Sequence, residues 1–213
     1  MKGVSKWALP VFIGLLVLIG VGASVSFYFR PHPNEGFADY PAITALHVIL
    51  GGLYMALAPF QFIPRIRKNR IGYHRRAGRV LVGIGVIVGL TAAFMAIVFP
   101  YSGWPERLIV TPFTIYFSVA IYLGYRHVRG KNIRLHQEWM IRAFAVGLAI
   151  STQRILFLPP LFYIIFRTGE PTESELTFLT VLSFTLALVL HSIFAEIWIR
   201  RGRTNKSKRL KPA

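Results

Sequence analysis

The chain has 213 residues, a formal charge of +17, 54% hydrophobic residues and no Cys. The lack of Cys excludes disulfides, thiolate metal sites, iron–sulfur clusters and cysteine nucleophiles. So large a positive charge is the usual signature of a nucleic-acid binder, but here the bases lie between long apolar runs, which points to membrane topology and away from nucleic acid.

A hydrocarbon core takes about 20 mainly apolar residues per helix. Six runs near that length predict an all-α, polytopic membrane bundle of six transmembrane helices. In chain order they are Trp7 to Tyr28, Ala42 to Ile63, Val80 to Phe99, Leu108 to Tyr125, Trp139 to Leu158 and Leu176 to Ile199. The first follows Lys2 and Lys6 and is longer than the core of a secretory signal, so it is expected to remain as a span. Residues 1–41 then form an N-terminal helix with an exterior loop, 42–199 a five-helix membrane core, and 200–213 a basic tail. That tail has almost nothing apolar to bury and is expected to be disordered beside anionic headgroups. No internal repeat is evident.

Orientation follows from the loop bases, which stay on the cytoplasmic side during insertion. Twenty of the 25 Lys and Arg residues precede the first span or fall in 65–79, 126–134 and 200–211, while Arg30, Arg107 and Arg167 are on the opposite side. Both termini are thus expected in the cytoplasm. Glu35, Asp39, Glu106, Glu170, Glu173 and Glu175 fall in the exterior loops of this arrangement.

Polar groups inside a span are costly unless they meet a partner or water, which makes them functional candidates. Arg142 and Arg154 lie in the fifth span, Gln61 near the end of the second, and Glu196 is the only acid well inside a predicted helix, suited to neutralise Arg142 or a base in a neighbouring loop. Arg154 is expected either to snorkel outward, with the span ending at Pro159-Pro160, or to meet a buried partner. His136, Met140, Ala143, Gly147, Ile150 and Arg154 share one helical face whose middle is small, suited to tight packing or to a flat ligand.

His32 is in the first exterior loop and His47 in the outer part of the second span, while His74, His127 and His136 border the cytoplasmic face. His191 lies about 12 Å from the inner end of the last span at 1.5 Å per residue. Two neutral imidazoles from facing helices at equal depth hold a b-type haem. His74 and His136 match best in depth, with His127 and His191 as alternatives. His47 has only His32 as an outer partner, so a second haem lacks a ligand pair and one inner haem or metal site is the redox alternative. Interfacial histidines beside Arg also contact headgroup phosphates or cap helices.

The stretch from His47 through Gly51, Pro59, Gln61, Phe62, Arg65 and His74-Arg75-Arg76-Ala77-Gly78-Arg79, then His136-Gln137-Glu138-Trp139-Met140-Ile141-Arg142 and Arg154, resembles the predicted bacterial membrane-protein family called domain of unknown function 2306. The likeness spans about Ala42 to Glu196. It implies a location in the bacterial cytoplasmic membrane and no defined activity. A weaker similarity links the chain to the di-haem b-type membrane cytochromes, which place one histidine early in a span and another beside a basic loop.

Three functions are open at this stage. One is a redox protein whose inner histidines ligate haem. Another is a small transporter or sensor in which Arg154, Gln61, His47 and Glu196 line a path for an anion or proton. The third is a non-catalytic scaffold whose basic loops bind lipid or a partner protein. No P-loop, H-E-x-x-H, G-x-S-x-G or carboxylate pair is present, so no catalytic residue is assigned.

Overall fold

The structure, a computed structural model, describes residues 7–27, 29 and 36–210, with side chains to residue 204. Every regular element among them is helical. In chain order these are α1 (Ala8–Phe27), the short α2 (Gly36–Asp39), α3 (Pro41–Leu57) continued by a 3-10 turn (Ala58–Phe62), α4 (Pro64–Asn69), α5 (Ile71–Val98), α6 (Trp104–Arg129), α7 (Ile133–Thr168) and α8 (Glu173–Leu210). Six of them, α3 counted with its 3-10 turn, are long and apolar enough to cross a membrane.

Local chemistry fixes where these helices begin and end. Pro41, Pro64 and Pro105 lie in first turns, where a missing N–H leaves nothing unpaired. Asn132 caps α7, its Oδ1 accepting from Leu135 N at 3.1 Å. Thr172 and Glu175 form a reciprocal capping box ahead of α8, with bonds of 2.8 and 3.3 Å. Gly169, at φ +85°, makes the left-handed exit from α7 that a Cβ would strain.

Two segments differ from the sequence expectation. The fifth span does not stop at Pro159-Pro160, since α7 continues through both to Thr168. In lipid an interrupted helix leaves backbone groups without water, so a continuous helix is favoured where neighbouring helices can meet the freed carbonyls. The segment from residue 200, expected as an unstructured tail, prolongs α8 to Leu210, and Arg203 is anchored on Glu138 of α7.

α1 packs on α3 and α7, α3 on α5, α5 on α6, and α6 on α7, closing a ring of five helices. α8 lies outside that ring against α6 and α7. Small residues set the crossings: Gly20 faces Met55 and Ser151, Gly85 faces Ile121 and Tyr54, and Gly124 faces Met140. Without a hydrophobic force between helices in lipid, such close approach supplies the association energy. Leu18, Leu90, Phe166 and Phe178 are exposed on the perimeter, where hydrocarbon would surround them. The bases of 65–79, 126–134 and 200–204 gather at one end, called here the basic end; the other is the distal end.

Candidate functional site

A cavity of about 190 Å³ lies in the distal half of the bundle, and every spanning helix contributes to its wall. The wall is mostly apolar and aromatic. Its polar members are Ser24 on α1, His47 and Tyr54 on α3, Thr114 on α6 and Arg154 on α7.

His47 is six residues into α3, about 9 Å along its axis, and Gly51 and Tyr54 follow on the same face. Its Nδ1 lies 3.1 Å from Thr91 Oγ1 on α5. The Thr91 hydroxyl has the Ile87 and Val88 carbonyls of its own helix within reach, at 2.8 and 3.1 Å, and with its proton donated there it accepts from His47. The imidazole therefore carries its proton on Nδ1, which leaves Nε2 as the acceptor. Tyr54 packs edge-on against Phe117, ring centroids 5.7 Å apart, at the floor of the cavity.

Arg154 is half-buried and lines the cavity with Gly147 and Ile150, the outer half of the small-residue face, whereas Met140 and Ala143 of that face pack in the core, Met140 against Gly124. It lies within electrostatic range of Glu106. Glu106 is in the first turn of α6 rather than in an exterior loop, is 7% exposed, and accepts the Ser102 N–H at 2.7 Å. Burial pushes the phenol of Tyr101, in the adjoining loop, above its usual range; Arg154 opposes that shift and Glu106 adds to it. Beyond the cavity, Phe37 meets Phe27 of the wall at 5.4 Å and Phe99 at 5.7 Å, and Tyr40 stacks on Phe99 at 5.3 Å. This aromatic cluster stands between the cavity and the distal loops.

The remaining histidines are dispersed toward the basic end. His136 Nδ1 pairs with the Gly124 carbonyl at 2.8 Å, so it is the donor and Nε2 is left as a ligand atom. His74 lies in its electrostatic range, as does His127 at the end of α6. His191 is bound to Thr152 Oγ1 at 2.8 Å across α7 and α8. Among the described residues, no three His, Asp or Glu side chains are placed to hold a metal ion. His32 lies outside the described residues. Gln61, on the 3-10 turn, keeps its Oε1 buried beside Gly78, away from the cavity. Arg142 and Glu196 form a two-pronged ion pair at 2.6 and 3.1 Å, with Trp139 4.5 Å beneath the guanidinium. This pair neutralises itself between α7 and α8 and does not reach the cavity.

Residues 44–199 match a family described as a predicted membrane protein, DUF2306. The chain belongs to this family. No curated protein and no solved structure matches it. The match to DUF2306 begins within α3 and ends in α8, so α1, which closes the ring, lies outside it. For this DUF2306 chain the sequence reasoning singled out His47 and Arg154 but missed Tyr54, Thr91 and Glu106. Tyr54 was within reach, since it follows His47 by seven residues and therefore shares its helical face. Thr91 and Glu106 carried no periodic signal, and only the packing of α5 and α6 brings them in.

Proposed function

We propose that this protein binds a small solute inside the bacterial cytoplasmic membrane, as a transporter or sensor, in the cavity lined by His47 and Arg154, with both termini in the cytoplasm. The observation that carries the reading is the convergence of an imidazole from α3 and a guanidinium from α7 on one aromatic-walled cavity. Small-molecule sites have this composition, an apolar wall with a few directed polar groups. Intramembrane ionisable residues also mark solute paths. The bases at the basic end would lie at anionic headgroups, which attract them by about 1 kcal/mol each. A panel of lipid-soluble neutral and anionic compounds, scored by thermal stabilisation of the purified protein, tests this. At least one should stabilise the wild type and lose that effect in His47→Phe or Arg154→Gln. A panel that stabilises neither form, or both equally, overturns it.

A second reading places one b-type haem or a metal ion at His74 and His136. It is favoured by the His136 to Gly124 bond, which presents Nε2 as a ligand atom. Protein purified from haem-replete cells should then show a Soret band that weakens in His136→Ala. A colourless preparation removes this reading.

A further inference from the structure

Resting on the binding reading above, we infer that the solute is a neutral, membrane-dissolved molecule with a flat, oxygen-bearing head, of the quinone class, and that it enters sideways from the bilayer past α1.

Charge selects the head group. Arg154 is the cation of the cavity wall, and Glu106 already lies in its field. An anionic ligand would compete with that carboxylate while losing its own hydration against a wall of Phe and Val. A neutral carbonyl accepts from the guanidinium without that loss. His47 Nε2, left as an acceptor by the Thr91 contact, suits the hydroxyl of the reduced form.

The route follows from what surrounds the cavity. On the side of the distal loops the Phe27, Phe37, Phe99 and Tyr40 rings pack together beside the cavity. Toward the basic end the cavity is floored by Tyr54 and Phe117 within the packed core. Sideways, α1 bridges α3 and α7 and supplies Gly20, Ser24 and Phe27 to the wall. Gly20 lies on Met55 and Ser151 and Ser24 on Gly52, while Leu16 is buried among core side chains, so the seam is held by apolar and small-residue contact. The hydroxyls of Ser24 and Ser26 bond back to the Gly20 and Ala23 carbonyls of α1 itself. By contrast α7 and α8 are tied by Arg142–Glu196 and Arg203–Glu138. In lipid, apolar side chains lose little by leaving one another for acyl chains, so the α1 seam opens most readily.

The chain has no Cys, so a disulfide placed across this seam is the only one that can form. A Cβ at Gly52 would stand 3.0 Å from Ser24 Cβ. That is roughly 0.5 Å short of the lower limit of a disulfide's Cβ separation and about 0.8 Å short of its mean, a gap that a small helix shift supplies. The experiment uses the Ser24→Cys/Gly52→Cys protein in liposomes, oxidised or reduced, with redox reagents removed before measurement. The probes are a fully substituted benzoquinone bearing a decyl tail, its tail-less counterpart and decanoate, with binding followed by quenching of protein fluorescence. The reduced protein should bind the tailed quinone at least tenfold more tightly than decanoate. Oxidation should slow its association at least tenfold, and the Ser24→Cys single variant should show no change on the same treatment. Equal association rates in the oxidised and reduced double variant overturn lateral entry, and tighter binding of decanoate overturns the neutral class. If the reduced protein and the wild type bind none of the three probes, the quinone assignment falls. The binding reading itself falls only if the wider compound panel also fails.

Discussion

His47 and Thr91 meet across α3 and α5, Nδ1 to Oγ1, at 3.1 Å. With the threonine hydroxyl donating to its own helix, at the Ile87 or Val88 carbonyl, it accepts from His47, and the imidazole proton then sits on Nδ1. Thr91→Val keeps the volume and removes the acceptor. A hydrogen bond of this kind is worth about 0.5–1.5 kcal/mol net. Stability should therefore fall by about 0.5–1.5 kcal/mol, and ligand affinity should fall as the His47 ring loses its fixed orientation. Titration of a stabilising ligand against both forms measures this; unchanged affinity would show that the His47 orientation is immaterial.

The Arg142–Glu196 pair makes a prediction about stability. The Arg142 side chain is 12% exposed and that of Glu196 38%. Removing one partner from a fully buried pair costs about 3–5 kcal/mol, and the partial exposure of Glu196 reduces that. Glu196→Gln should destabilise the protein by about 1–3 kcal/mol. Arg142→Met/Glu196→Leu should recover most of the loss, because no charge then remains unpaired. Unfolding in detergent distinguishes the three forms, and a double variant no better than the single would refute the account.

The crossing of α6 and α7 rests on Gly124 against Met140. The methionine end is flexible and yields to one methyl group, so Gly124→Ala should be nearly neutral. Gly124→Leu overpacks the crossing and should cost about 1–3 kcal/mol. Equal melting temperatures for the two variants would contradict this packing.

How much of this was legible in the sequence depends on the range over which each feature is determined. The six spans could be read because lipid demands long, continuous apolar runs, a local property. Arg142 was one of two partners the sequence offered Glu196, the other being a base in a neighbouring loop, and the structure pairs it with Arg142. Thr91 was not, because it lies 44 residues from His47 and a threonine in a span bonds its own helix as readily as another. Glu138 was likewise overlooked beside the basic loop; its partner Arg203 is 65 residues away and had been assigned to the tail. The cavity has no sequence signature, because it is the space left where separate helices fail to touch.

Orientation is tested with single cysteines in this Cys-free chain. Lys131→Cys lies in the basic turn between α6 and α7, and Glu170→Cys in the distal turn before α8; both positions are exposed. An impermeant maleimide applied to intact cells should label Glu170→Cys and spare Lys131→Cys. The reverse pattern would invert the topology.

The cavity between His47 and Arg154 is proposed to hold a small molecule. Gly147, with Tyr54 Cε1 and Met55 Sδ 3.6 and 3.8 Å from a Cβ placed on it, offers a way to fill that space. Native mass spectrometry of protein extracted gently from membranes measures occupancy with no assumption about the ligand. Wild type should carry a small molecule that is reduced in Arg154→Gln and absent from Gly147→Leu; a bare wild-type protein, or the same molecule retained in Gly147→Leu, would contradict the claim.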